Sequence, residues 1–191
     1  MIGLFDSGSG GLSVLTAFRR RAPRADVAYF GDIKHAPYGV RPQEELAALT
    51  KAGVGVLKRM GATQIVSACN SVSQSVLAGA AGDTPIIEMT SPTAAYMRTH
   101  SGKRVLLVAT PATVTAGIYQ KAFAGICILN SLPIFELAGA IEFGAPEIEI
   151  RKIIQAAFQS QKDNQYDYVL LGCTHYPLAR DIIERAAHEI F

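Results

Sequence analysis

Short apolar runs alternate with longer amphipathic segments along nearly the whole chain. Residues 2–5, 27–30 and 65–68 are largely apolar stretches of strand length, interrupted only by Ser67, as expected of strands covered on both faces. Gly8-Ser9-Gly10-Gly11 forms a tight loop ahead of a helix over residues 12–21. A loop spans residues 31–41. The next helix opens at Pro42 with Glu44 and Glu45 at its positive end, runs to about Met60 and is capped by Gly61. After the strand at 65–68 comes a helix over 72–80. The order βαβαβα implies a parallel sheet with right-handed crossovers.

A second series follows the short apolar pair Ile86-Ile87. Ser91 is placed to cap a helix with Pro92 in its first position. Residues 105–108 read as a strand, Thr110-Pro111-Ala112-Thr113 as a helix-opening loop and 116–123 as a helix. Residues 126–129 and 133–137 are strand candidates, 147–160 a helix, 168–171 the last strand and 179–191 the last helix. The pattern predicts an α/β fold of two lobes, residues 1–90 and 91–191, with the boundary near 88–92. Each lobe is expected to be a mostly parallel sheet flanked by helices.

Composition narrows the function classes. A net charge of +2 gives no electrostatic case for nucleic acid or a membrane surface, and the one basic cluster, Arg19-Arg20-Arg21 with Arg24, reads as a solvated helix end. No apolar run approaches the ~20 residues of a membrane span, and the N-terminus enters directly into a strand. Three cysteines in 191 residues are no disulfide framework; they favour a reducing compartment, with the cytoplasm as the expectation.

Those cysteines carry the candidate chemistry. Val169-Leu170-Leu171-Gly172-Cys173-Thr174-His175 and Ile65-Val66-Ser67-Ala68-Cys69-Asn70-Ser71 share one plan: an apolar run, a small residue, a thiol and then short polar groups. A residue at the C-terminal end of a buried parallel strand faces the crevice where open α/β sheets bind ligands. Either cysteine alone reads as a small buried hydrophobe. Their matched settings point instead to a pair of thiols. Cys127, in Gly125-Ile126-Cys127-Ile128-Leu129, has no polar followers and belongs to the core. His35, His100 and His188 lack metal-ligand spacing, so no metal is expected. The Gly8 to Gly11 loop lacks the lysine of a phosphate-binding loop and breaks G-x-G-x-x-G at Ser13.

Phe5-Asp6-Ser7-Gly8-Ser9-Gly10-Gly11-Leu12, Pro37-Tyr38-Gly39, Ala68-Cys69-Asn70-Ser71 and Leu171-Gly172-Cys173-Thr174-His175-Tyr176-Pro177 together resemble the glutamate racemases of the cofactor-independent aspartate/glutamate racemase superfamily, in the family's order and over nearly the whole chain. The resemblance implies pseudo-symmetric lobes with the site in the cleft between them. It also implies interconversion of L- and D-glutamate without a cofactor, a role in supplying D-glutamate for peptidoglycan, and a homodimer. Carried over residue by residue, it makes Cys69 and Cys173 the catalytic acid/base pair. Asp6, Ser7, Tyr38, Gly39, Asn70, Ser71, Thr174 and His175 become substrate contacts, with Asp6 and His175 also assisting the thiols. We expect Asp6 beside Cys69 and His175 beside Cys173. Glu142, preferred over Glu136, stands for the family's second-lobe acid. Asn70-Ser71 replaces the family's usual Asn-Thr, residues 125–149 are abbreviated, and the family's closing segment is expected to be missing. Aspartate racemase, another isomerase of the superfamily, or an amino-acid-binding relative without turnover are the alternatives.

The chemistry agrees with these residue types. Racemisation without a cofactor needs a base on one face of the α-carbon and an acid on the other, and thiols with a reference pKa of ~8.5 suit both roles. The carbanion-like transition state places charge on the substrate carboxylate. Donors at the helix starts, with Ser7, Asn70, Ser71 and Thr174, are the groups to meet it.

Overall fold

A computed structural model describes residues 1–191. The first sheet contains β1 (Ile2–Asp6), β2 (Val27–Gly31), β3 (Gln64–Ser67) and β4 (Ile86–Ile87), all parallel, in the order β2-β1-β3-β4. Three helices intervene: α1 (Leu12–Arg21), α2 (Gln43–Arg59) and α3 (Gln74–Ala81). After α4 (Thr90–Met97), a second parallel sheet, ordered β6-β5-β7, is built from β5 (Arg104–Ala109), β6 (Ile128–Pro133) and β7 (Tyr168–Gly172). Its helices are α5 (Pro111–Ala116), α6 (Ile118–Ala122), α7 (Leu137–Glu142), α8 (Glu147–Gln159) and α9 (Arg180–Ile190).

The sheets share a plan. The first strand of each, β1 or β5, lies between the second and third, so β3 and β7 hold equivalent places. On β5, Val105 and Leu107 face a core with Met97, Tyr119 and Phe123, while Leu106 and Val108 face one with Ile154, Phe158 and Ile183. This is the period of a strand buried on both sides. In the first sheet Phe5 and Ile65 pack with Leu46, Val54 and Leu57 of α2 and Leu77 of α3. Ala112 of α5 reaches into that core. No helix is long and apolar enough to cross a membrane.

The structure redraws the second half in three places. The strand candidates at 126–129 and 133–137 are one strand, β6, across Asn130 and Ser131. Its polar side chains are paired, Asn130 Nδ2 to Tyr166 Oη at 2.9 Å and Gln120 Nε2 to Ser131 Oγ at 3.1 Å, so an edge strand carries them. Residue 137, expected to end a strand, instead opens the short helix α7 over residues 137–142. The helix expected at 116–123 is broken by Gly117, whose left-handed φ of 64° divides α5 from α6. At α4 the N–H groups of Thr90 and Ser91 are taken by the Glu88 carboxylate at 2.5 and 2.9 Å, so the cap lies upstream of Ser91.

Candidate active site

The register of both sheets brings their C-terminal ends together. Asp6 ends β1, Cys69 follows β3, Thr110 follows β5 and Cys173 follows β7. The third strand of each sheet therefore runs out into a cysteine. Cys69 and Cys173 are 4% and 7% exposed, and Asp6, Ser7, Asn70, Ser71, Thr174 and His175 are buried with them. Surface cavities of about 340 to 820 Å³ lie away from these buried residues, one of them bordered by Gly39.

Around Cys69, burial is the dominant influence and pushes the thiol up to about 12, with the charge of Asp6 adding to it. The hydroxyls of Ser7 and Ser71 and the Ser71 N–H act the other way as donors to sulfur. Burial likewise raises Cys173, and the charges of Cys69 and Asp6 reinforce it, while the His175 and Tyr176 N–H groups pull back. Burial thus favours the neutral thiol at both positions.

His175 stands between Cys173 and an acid. Its Nδ1 is 3.7 Å from Cys173 Sγ, and its Nε2 is 2.5 Å from Glu142 Oε2. Glu142 also accepts from Ser9 N at 3.1 Å and Ser9 Oγ at 2.7 Å. Burial opposes ionisation of Glu142, but the Ser9 and His175 bonds outweigh it and hold the carboxyl below its ordinary value. An ionised Glu142 can only accept, so the ring proton sits on Nε2. In the neutral ring Nδ1 is then an acceptor facing the thiol. Glu136, the other acid weighed for this role, is exposed and lines a surface cavity with Phe143 and Glu149.

Asp6 departs from the expected pairing. Its carboxylate accepts from Gly8 N at 3.2 Å, Gly11 N at 2.9 Å and Thr174 Oγ1 at 3.3 Å, and makes no hydrogen bond to Cys69. Burial raises its pKa to about 6 against the pull of these donors and His175. Asp6 thus shapes the glycine loop and reaches the other sheet through Thr174. Its effect on Cys69 is that of a nearby charge.

Tyr38 is anchored from within its own sheet's loops. Its hydroxyl donates to Asp32 Oδ2 at 2.7 Å, and Asp32 is bonded in turn to His35 Nδ1 at 2.8 Å. The turn this fixes brings Gly39 against Thr110, where a Cβ on Gly39 would lie 2.5 Å from the threonine side chain. Thr110 caps α5 by accepting from Thr113 N at 3.4 Å, and it also meets Ser71 Oγ at 3.0 Å. Asn70 Oδ1 accepts from Tyr119 Oη at 2.6 Å.

Every polar residue predicted beside the thiols is therefore gathered here, most of them bonded across the two sheets. Sequence reasoning missed Ser9, Asp32 and Tyr119. Asp32 follows the end of β2 as Ser7 follows β1, so the strand-end rule contained it; Tyr119 lies inside a helix with no such signal. Cys127 is half-buried at the edge of the second sheet's core, and no three His, Cys, Asp or Glu side chains converge as a metal cage.

Residues 12–190 match the family model described as Asp/Glu/hydantoin racemase. The glutamate racemase of Desulforudis audaxviator is 35% identical over 96% of this chain and 70% of its own length, and that of Aquifex aeolicus 35% over 96% and 74%. Among solved structures, a glutamate racemase isoform from Bacillus anthracis superposes with a TM-score of 0.88 at 27% identity, covering 97% of this chain and 73% of that one. The glutamate racemase of Aquifex pyrophilus gives 0.79 at 34%, covering 96% and 75%. A sequence match across almost the whole chain, and the same paired sheets in its relatives, place this chain in the Asp/Glu/hydantoin racemase family of isomerases.

Proposed function

We propose that this chain is a glutamate racemase using Cys69 and Cys173 as its two acid/base groups, with no cofactor. The observation that carries the reading is the equivalence of the thiols: each ends the third strand of its sheet and is followed by short polar donors. Curated relatives at 35% identity are glutamate racemases, and related structures of Francisella tularensis and Escherichia coli hold D-glutamate and L-glutamate respectively.

In this mechanism one sulfur, as thiolate, takes the α-proton while the other, as thiol, delivers its proton to the opposite face. The base ends protonated, the acid ends as thiolate, and the reverse reaction exchanges the roles. Because burial holds both thiols up, ionisation of Cys173 is coupled to transfer of its proton to His175 Nδ1, with Glu142 stabilising the imidazolium. Ser7 and Ser71 supply donors to a Cys69 thiolate. Backbone N–H groups with Ser7, Ser71 and Thr174 meet the charge developing on the substrate carboxylate, while Asn70 holds that carboxylate equally before and during transfer. Substrate enters when the lobes part, since the thiols and their polar neighbours are buried. We place the lobe boundary near residues 88–92, and on this reading the enzyme works in the cytoplasm as a homodimer, supplying D-glutamate for peptidoglycan.

The test is incubation with L-glutamate in D2O without added cofactor. α-Deuteration accompanied by loss of optical rotation is expected; binding without exchange would point to a non-catalytic relative. Cys69→Ser and Cys173→Ser should each abolish racemisation, and near-normal turnover in either variant would defeat the two-base assignment. Aspartate run in parallel reports the preferred side-chain length.

A further inference from the structure

Both polar residues after Cys69 are held from the opposite lobe, but by different means. Ser71 meets Thr110, a helix cap whose hydroxyl also contacts Thr113 at 3.0 Å. Asn70 meets Tyr119, 2% exposed and rooted in the core of the second sheet, with its ring 5.7 Å from Phe123. The phenol gets there because Gly117, in its left-handed conformation, breaks the helix two residues earlier and re-aims α6. The proton transfer between the thiols does not itself require this residue.

The Asn70 amide can sit in only one way. Nδ2 donates to Ala68 O at 3.1 Å, and Oδ1 accepts from Tyr119 Oη at 2.6 Å. Turning the amide over would set oxygen against the Ala68 carbonyl oxygen and lose that bond. Burial, with the charges of Glu88 and Cys173, keeps the phenol protonated well above its ordinary range, so it remains a donor at working pH. One Nδ2 hydrogen of Asn70 is left without a protein acceptor, on the residue next to a thiol.

We infer that Tyr119 is a positioning residue of the site: by fixing Oδ1 it locks the Asn70 amide so that the remaining Nδ2 hydrogen is presented to the substrate carboxylate. The inference rests on reading the cleft as an amino-acid racemase site. Tyr119 touches no reacting atom in this scheme, and its effect passes entirely through Asn70. A carboxylate contact made in ground state and transition state alike sets KM more than kcat.

A double-mutant cycle tests it. Tyr119→Phe keeps the ring and removes the donor; KM should rise about three- to tenfold, the worth of one neutral hydrogen bond, with kcat changed by less than about twofold. In an Asn70→Ala background the same substitution should have no further effect on KM. An unchanged KM in Tyr119→Phe, or an equal factor in both backgrounds, overturns the inference, as does loss of the cooperative melting transition, which would give the hydroxyl to the fold instead. Absence of racemisation in the unsubstituted protein would instead defeat the reading of the cleft itself.

Discussion

Glu142 Oε2 lies 2.5 Å from His175 Nε2, with both side chains 3% exposed. A buried carboxylate in that position determines which ring nitrogen carries the proton, and so whether Nδ1 can receive one from Cys173. His175→Ala should lower kcat/KM by about a hundredfold, the usual scale of a lost general acid/base group. Glu142→Gln should cost about tenfold or more. Since the enantiomers have equal free energy, each factor must be the same in both directions. The double variant should be no slower than His175→Ala alone, because the acid reaches the proton transfer only through the ring and Glu142→Gln keeps a carbonyl oxygen for Ser9. Additive losses measured by circular dichroism of the turnover would separate Glu142 from His175.

How far this arrangement could be read from the residues depends on distance along the chain. Cys69 and Cys173 were legible because strand-ending polar residues follow apolar runs, a local pattern with a defined destination in parallel sheets. Glu142 was found through the register of a resemblance rather than through α7, whose six residues lack a helical stripe long enough to see. Strand β6 was split because Asn130 and Ser131 interrupt its apolar run, and their partners Tyr166 and Gln120 are visible only in three dimensions. The same limit hid the Tyr119 contact to Asn70, 49 residues away. It also misdirected Asp6, whose acceptor capacity is used by Gly8, Gly11 and Thr174.

The buried Asp6 makes stability fall as pH rises. Its folded pKa of about 6 lies above the ordinary carboxylate value of ~3.9, so between these values the folded chain keeps a proton that the unfolded chain has lost. The contribution of Asp6 to stability should therefore decline from about pH 4 to about pH 6 and then level, by about 3 kcal/mol in all. Asp6→Asn can present oxygen to Gly8 and Gly11 and its amide to Thr174, so it should fold and lack this decline. Urea denaturation at pH 4.5 and 7 should show the variant gaining on the native protein at the higher pH. Asp6 also raises both thiols by repulsion. The alkaline rise of any residual activity should accordingly move to lower pH.

Gly10 and Gly79 offer a matched pair in which the same added methyl has opposite consequences. At Gly10 a Cβ would lie 2.7 Å from Thr174 Oγ1 and 2.9 Å from the His175 backbone nitrogen, so it would wedge the glycine loop away from the second sheet. Nothing within 4 Å would meet a Cβ at Gly79, inside α3. Gly10→Ala should destabilise by about 1–3 kcal/mol as an overpacked contact, and it should depress kcat/KM by disturbing the bond from Thr174 to Asp6. Gly79→Ala should stabilise by about 0.5–1 kcal/mol through helix propensity and leave turnover unchanged. Denaturation midpoints and kcat/KM measured together decide the matter: a Gly10→Ala protein as active and stable as the native one would mean that the loop and the Cys173 turn do not meet as closely as described.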